Sequence, residues 1–447
     1  MLSCAVLYGI LMVVYEYQVE PIIATGEHIL FYTISPIYDV LFFVLGMVPT
    51  FWLPTHCYKP SHFSWWILYI TIVAPTCIEA PHMLNDTLRV WPMVVAVVLF
   101  FCLLMQVSNF KPLTLPRIST PPVVFWSIAV VFTLVTFISL IAFYGLPKEG
   151  LSLSTAHAFR AAFKEKSKDV PLIIRYLFRW DGEVVLPCFV AYGAVRRKFL
   201  PIMVGCAGEA GLFMITTFRE YALTPLFLLC VGGWLLMFKK NNGTALIVTF
   251  TGLSGVFAGL TVLKESLALI TMTFFDRFIL IGGQVTAMYY DFFLTHSPGY
   301  YGTSFGQLFV TAPYATDIGV VVGNLYYEGG SSTTGTNAPA YFWADAFGNA
   351  LWPGIIVAQI LAMGIYWVID SAYVKFDKRA AVVMGVMISL SISTEGLQTT
   401  ALTGGLIPMV IVGLMGARTF RPVPERERRR ARTEPAAPLR AESSPSG

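Results

Sequence analysis

The chain has 447 residues, of which 56% are apolar and only 13% are charged, and its formal net charge is +4. The mean hydropathy is +0.67. This composition excludes a soluble globular protein and predicts a membrane protein.

Windows of about 20 mostly apolar residues, the length needed to cross a bilayer, recur along the whole chain. They predict an all-α polytopic fold with about twelve transmembrane helices, so that residues 1–416 form one membrane domain. The first window lacks a basic segment and a small-residue cleavage site, and we therefore expect no cleavable signal. In chain order the windows are 1–17, 30–53, 64–78, 90–106, 122–145, 184–195, 199–216, 222–238, 244–262, 351–370, 381–393 and 401–416.

Basic residues cluster in short loops that alternate consistently with these windows. The clusters are Arg196-Arg197-Lys198, Lys239-Lys240 and Lys375 with Lys378-Arg379. Loops rich in Lys and Arg face the cytoplasm in most membrane proteins. We therefore predict that these loops and both termini are cytoplasmic, and that residues 417–447, rich in Arg, Pro, Glu and Ala, form a disordered basic tail.

Two long segments, 146–183 and 263–350, fall on the opposite side and carry charges of both signs. Loops of this length are uncommon unless they have a function. Within the second, the apolar stretch 266–283 predicts an interfacial or re-entrant helix. We expect the functional site on this outer face.

Arginines at the outer ends of apolar stretches are the strongest functional signal. Arg219 and Arg277 lie where a guanidinium costs about 2.5–3.5 kcal/mol unless it is paired or hydrated. Arg175 and Arg179 stand four residues apart, on one helical face. Because guanidinium groups bind phosphate through two parallel hydrogen bonds, the four arginines predict a phosphate or pyrophosphate site at the lipid headgroup level.

A structural explanation remains open for each pair of arginines. Arg219 and Arg277 would then only mark helix ends at the interface, and the other two would pair with Asp181, Glu183 or lipid phosphate. The second outer segment contains aromatic and amide side chains, which suit carbohydrate rings but also populate membrane interfaces. The candidate glycan-binding residues are Tyr301, Asn337, Tyr341 and Asp345.

The sequence predicts neither a metal site nor a cofactor. The outer segments contain no Asp-x-Asp motif, and CxxC spacing is absent. The seven cysteines fall mostly within the apolar windows, so a disulfide framework is not expected.

Four segments between residues 170 and 415 resemble the Wzy-type oligosaccharide repeat-unit polymerases. Arg219 corresponds to the family arginine and Glu395 to its acidic position, whereas Thr217 and Phe218 replace the usual Gly-Thr before the arginine. The order and spacing of the segments on a matching topology carry the resemblance. The segments are RYLFRWDGEVVLPCFVAYGAVRRKFLP, GLFMITTFREYALTPLF, TNAPAYFWADAFGNALWPGIIVAQILAMG and STEGLQTTALTGG.

The resemblance implies a GT-C-type glycosyltransferase in the bacterial inner membrane. Such an enzyme polymerises undecaprenyl-pyrophosphate-linked repeat units at the periplasmic face, next to a chain-length regulator and a flippase, and binds no nucleic acid. Arg219 and Arg277 would stabilise the leaving pyrophosphate without a metal. Glu220, Glu395 or His296 would be the general base.

Two other functions stay open on the sequence. An O-antigen ligase shares the fold plan and the lipid donor but transfers the glycan to a different acceptor. A lipid-linked oligosaccharide flippase or other transporter would place charges along a path through the membrane, where only Asp39 and Glu209 lie deep in predicted spans.

Overall fold

The computed structural model describes residues 1–21, 32, 34–84, 87–145, 163, 165–167, 169–238, 242–263, 267, 273–303, 305–328 and 337–422. Helices make up most of this part, and its only β-type pairing is an isolated bridge between His56 and Asn242. The α-helices are α1 Leu2–Val14, α2 Pro36–Met47, α3 Pro60–Leu68, α4 Ala74–Met83, α5 Thr87–Met105, α6 Pro122–Tyr144, α7 Leu172–Trp180, α8 Leu186–Arg196, α9 Phe199–Thr216, α10 Arg219–Met237, α11 Gly243–Leu263, α12 Ile281–Thr295, α13 Ile318–Glu328, α14 Phe342–Ala372, α15 Lys378–Thr394, α16 Leu397–Leu402 and α17 Leu406–Met415.

Four π-helical turns and three 3₁₀ turns complete the helical part. One π turn extends α1, one joins α3 to α4, one joins α7 to α8, and one precedes α12. A π turn inserts an extra residue into a helix and is frequent at functional sites. The π turns are Tyr15–Val19, Tyr69–Val73, Asp181–Val185 and Asp276–Leu280, and the 3₁₀ turns are Val48–Phe51, Gln106–Asn109 and Phe305–Leu308.

Nine helices within the described ranges are long and apolar enough to cross a membrane. They confirm an all-α polytopic membrane protein. Three predicted windows, 30–53, 184–195 and 381–393, contain the shorter helices α2, α8 and α15, so the count of twelve crossings stays a prediction. The nine helices are Leu2–Val19, Pro60–Met83, Arg89–Asn109, Pro122–Tyr144, Phe199–Thr216, Arg219–Met237, Gly243–Leu263, Phe342–Ala372 and Leu397–Met415.

Several expectations concern residues outside the described ranges. They include most of the first outer segment, the pair Lys239-Lys240, the stretch 329–336 and the tail beyond residue 422.

Two of the basic loops, those at Arg196 and Lys378, lie at one end of the helical bundle, which we call the basic end. The Arg196 side chain donates to the carbonyl of Arg421, and the Asp377 N–H donates to the carbonyl of Phe420 at 2.7 Å. Lys378 lies 4.3 Å from the centre of the Tyr58 ring. Segments predicted to share the cytoplasmic side are therefore in contact with one another.

Helix α14 is a hairpin rather than one straight rod. Ala350 and Leu351 depart from helical geometry, with φ of 53° at Leu351. The Trp343 indole N–H donates to Gln359 at 3.0 Å, although a straight helix would hold these residues about 24 Å apart. The part before Leu351 therefore turns back along the part that runs to the basic end.

Close backbone packing positions the segment that starts at Asp276. A Cβ added at Gly282 would lie 2.1 Å from the Thr71 carbonyl oxygen, so only glycine lets α12 approach the π turn Tyr69–Val73 this closely. The described part of the predicted re-entrant segment also packs on α11, where Phe274 stacks on Phe257 with ring centres 4.7 Å apart.

We expect Gly282→Ala to lower the midpoint of thermal unfolding in detergent, because the added methyl group forces the two backbones apart at about 1–3 kcal/mol. The matched control is Gly364→Ala, since a Cβ there has no neighbour within 4 Å. That change should be neutral or stabilising, because alanine favours a helix interior. Equal midpoints for the two variants would contradict the close approach.

Candidate functional site

Three carboxylates surround one arginine where three helical segments meet. Arg179 at the end of α7 places its Nη1 atom 3.6 Å from Glu183, 3.5 Å from Glu220 and 3.5 Å from Glu395. Glu183 lies one turn later in the π turn that continues α7, Glu220 is the second residue of α10, and Glu395 directly follows α15. These four residues, which we call the Arg179 cluster, come from three distant parts of the sequence.

The Arg179 cluster lies far from the basic end. The continuous helix through α7 and α8 reaches the basic end at Arg196, α10 reaches it at Met237, and α15 starts there at Lys378. Along each helix the cluster is about 25 Å away, at a rise of 1.5 Å per residue. Because the hydrocarbon core is about 30 Å thick, this depth corresponds to the opposite membrane interface.

The Arg179 cluster contains more acidic than basic groups, and it is partly buried. One guanidinium faces three carboxylates, and the Arg179 side chain is only 26% exposed. The Oε2 atom of Glu395 is buried and has no hydrogen-bond partner among the described residues. Burial raises the pKa of Glu395, Arg179 lowers it, and Glu220 raises it further. Glu395 therefore holds a proton more readily than an exposed glutamate does.

Local structure fixes the carboxylates in place. The π turn Asp181–Val185 lies directly after Arg179 and contains Glu183. The Ser391 hydroxyl donates to Glu183 at 3.3 Å. The Trp180 indole N–H donates to the Leu402 carbonyl at 2.8 Å, which ties α7 to the short helix α16 after Glu395.

A strained turn sets the position of Glu220. Thr217 joins α9 to α10 in the left-handed region, with φ of 58°, a conformation that is rare for a β-branched residue. Phe218 follows, and its ring centre lies 5.5 Å from the Arg179 guanidinium carbon, a cation–π contact.

One predicted glycan-binding residue, Asp345, lies next to the Arg179 cluster, and a second, Tyr301, is connected to it through Asn349. A Cβ added at Gly396 would be 2.5 Å from Asp345 Oδ2, so Asp345 contacts the backbone beside Glu395. Asn349 donates to Asp345 Oδ1 at 3.2 Å and accepts from the backbone N–H of Tyr301 at 2.9 Å. Asn349 therefore joins Asp345 to the backbone of Tyr301, and Asp345 itself lies against the backbone beside Glu395.

Three other predicted residues lie elsewhere around α12. Tyr341 is 1% exposed, and its hydroxyl is 2.8 Å from the Thr286 hydroxyl. Asn337 is exposed, with its side chain against Gly319. His296 is exposed and stacks on Phe292, with ring centres 4.0 Å apart. These contacts of the three residues all lie within the second predicted outer segment, 263–350.

The structure separates the other predicted arginines into two groups. Arg219 is exposed directly before Glu220, and Arg175 is half-buried one turn before Arg179, with no hydrogen-bond partner for its Nε among the described residues. Arg277 instead pairs with Asp276 at 3.1 Å and lies in the π turn that packs on Tyr69–Val73. Arg175 and Arg219 thus flank the Arg179 cluster, whereas Arg277 belongs to a different part of the bundle.

Sequence reasoning considered Glu183 only as a partner of Arg179, and it did not select Ser391 or Asn349. The spacing of Arg179 and Glu183 by four residues was the available signal for the first. For the other two the sequence offers none, because they meet the cluster only through tertiary packing.

Comparison with protein-family models, curated proteins and solved structures found no match to this chain. Within the described ranges, no group of three or more His, Cys, Asp or Glu side chains is arranged to hold a metal ion.

Proposed function

We propose that the chain is a GT-C-type membrane glycosyltransferase, which polymerises undecaprenyl-pyrophosphate-linked oligosaccharide repeat units on the periplasmic side of the bacterial inner membrane. The observation that supports this function is the meeting point of the four polymerase-like segments. The first segment contributes Arg179 and Glu183, and the other three contribute, in chain order, Glu220, Asp345 and Glu395. These side chains converge at one end of the bundle.

In the proposed reaction, Glu395 accepts the proton of an acceptor sugar hydroxyl. The hydroxyl oxygen forms a bond to the anomeric carbon of the growing glycan, and the bond from that carbon to the pyrophosphate oxygen breaks. Undecaprenyl pyrophosphate leaves with the electron pair. Arg175 and Arg219, which flank the Arg179 cluster, neutralise its charge. Arg179 is a positioning residue, because its Nη1 atom already faces three carboxylates.

Asp345 and Tyr301 complete the proposed site on its glycan side. A carboxylate and a phenol suit the hydroxyl groups and the apolar face of a sugar ring, respectively. Their link through Asn349 holds the second outer segment beside Glu395, so that an acceptor sugar bound there would reach the proposed base.

A transporter of lipid-linked oligosaccharides is the second candidate function. Glu79 and Glu209 are each 0% exposed within candidate spans. Buried carboxylates inside spans are typical of proton relays. A transporter would move the substrate across liposomes without lengthening it.

We expect the purified chain in nanodiscs to lengthen lipid-pyrophosphate-linked repeat units with no nucleotide sugar present. The energy is stored in the bond between the donor sugar and its pyrophosphate, so the expected product is a ladder of longer glycans on gels. A chelator should not reduce the ladder, because the proposal gives the positive charge to arginines.

Empty nanodiscs and a nanodisc-reconstituted Glu395→Gln variant serve as controls. Transfer to lipid A core instead of a lipid-linked repeat unit would identify a ligase. Substrate translocation with no elongation would favour the transporter, and a chelator-sensitive ladder would contradict the metal-independent mechanism.

A further inference from the structure

A cavity of about 190 Å³ opens at the basic end, far from the Arg179 cluster. Tyr58 and Phe110 line one part of it, Trp367 and Tyr373 another, and Lys59 and Lys378 contribute the positive charge. Sites for drug-sized ligands are larger, at about 300–1,000 Å³. The volume therefore suits a small polar group rather than a whole organic ligand.

The charges of the cavity favour an anion. Asp370 is the one carboxylate lining it, and its two oxygens already accept from the N–H and hydroxyl of Ser61 at 3.1 and 2.7 Å. Lys59 uses one of its three donors on the Ser108 carbonyl at 2.6 Å. Lys378 is exposed over Tyr58. Both lysines thus retain donors for a ligand.

Surrounding groups strengthen this preference. Helix α15 starts at Lys378, and the N-terminus of a helix favours negative charge. Arg117 donates to the Ser371 carbonyl at the cavity wall, and its Nη1 atom is buried with no hydrogen-bond partner among the described residues. Asp377 caps α15 through the Arg379 N–H at 3.0 Å, so its carboxylate is engaged.

The rim of the cavity is apolar. Val374 is 52% exposed and Phe110 is 39% exposed. Aromatic residues beside basic ones are typical of the level where headgroups meet acyl chains. A ligand with a phosphate group and hydrocarbon chains would place the phosphate inside the cavity and the chains along this apolar rim.

We infer that the cavity lined by Lys59, Lys378 and Trp367 binds the phosphate headgroup of an anionic phospholipid. Basic pockets between transmembrane helices on the cytoplasmic side bind such headgroups in other membrane proteins. This inference does not depend on the proposed glycosyltransferase function, because its site is at the other end of the bundle.

The test measures phospholipid binding to the delipidated full chain in neutral detergent, with phosphatidylglycerol, phosphatidylcholine and inorganic phosphate as probes. Native mass spectrometry counts the bound lipids, and thermal unfolding reports stabilisation. We expect phosphatidylglycerol to bind and raise the unfolding midpoint, with a much smaller effect of phosphatidylcholine. Stabilisation by inorganic phosphate at millimolar concentration, equal to that by the lipid, would overturn the lipid assignment in favour of a free-phosphate site.

In the variant Lys59→Gln/Lys378→Gln, the affinity for phosphatidylglycerol should fall about thirtyfold, from the contribution of two lysines near a headgroup. Lys59→Arg/Lys378→Arg should retain it, which separates binding from folding. The matched control Lys198→Gln/Arg418→Gln removes two exposed charges from the same end without touching the cavity. An equal loss in the control and the cavity variant would mean general surface attraction and overturn the proposal.

Discussion

Replacement of Arg179 by alanine should reduce glycan elongation about a hundredfold, because Glu395 would lose the guanidinium that holds it in place and a misplacement of about 1 Å has a cost of that size. The same change should also lower the unfolding midpoint. Glu183, Glu220 and Glu395 would then face one another without the guanidinium that now lies 3.5–3.6 Å from each. Loss of one partner from a buried charge pair typically costs about 3–5 kcal/mol, and solvent around Glu220 reduces that figure.

A second change separates positioning from stability at Arg179. Arg179→Ala/Glu183→Gln removes one of the repelling charges, so the unfolding midpoint should recover, whereas elongation should remain low. Arg418→Ala is the matched control, since this exposed arginine lies at the basic end. Recovery of elongation together with the midpoint would reduce Arg179 to a purely structural residue.

Glu395→Gln should abolish elongation while the lipid-linked substrate still binds, because the carboxamide keeps the shape but cannot accept the acceptor proton. General-base catalysis contributes about 10²–10⁴-fold. Glu220→Gln should have a smaller effect, because this side chain is 45% exposed. Elongation assays and substrate binding by the same preparations provide the comparison.

The pH profile gives an independent test of Glu395. Burial raises the pKa of Glu395, so elongation should fall on the acidic side at a pH above the usual carboxyl range. Glu220 raises that pKa and Arg179 lowers it. The acidic limb should therefore move to lower pH in Glu220→Gln. An acidic limb that is identical in wild type and Glu220→Gln would exclude Glu395 as its origin.

Much of the architecture could be predicted because hydropathy is a local property. The windows from residue 199 to 262 agree with α9, α10 and α11 to within a few residues. Arg179, Glu220 and Glu395 could be selected as site residues because each is a charge at the end of an apolar segment. Such charges are costly inside a bilayer, so their positions alone mark them as candidates.

Tertiary packing decided what the sequence could not. Arg277 looks like Arg219 in its local sequence, yet it lies in the π turn that packs on Tyr69–Val73. The predicted span begins at residue 351, whereas α14 begins at Phe342. Hydropathy is averaged over a window of residues and therefore does not show that the chain reverses direction at Leu351. The contact of Asp345 with Gly396 depends on that reversal.

The reversal at Leu351 also affects experiments that assign each segment to a compartment by reporter fusions. Such experiments assume that every apolar segment carries the chain across the bilayer, so that the parity of the segment count gives the side. The arm of α14 before Leu351 is helical but adds no crossing of its own, since it packs back along the second arm. A reporter joined between residues 342 and 351 would interrupt the hairpin before its second arm is made. Its signal would then describe a truncated chain, and fusions after Ala372 are the ones that report the native side.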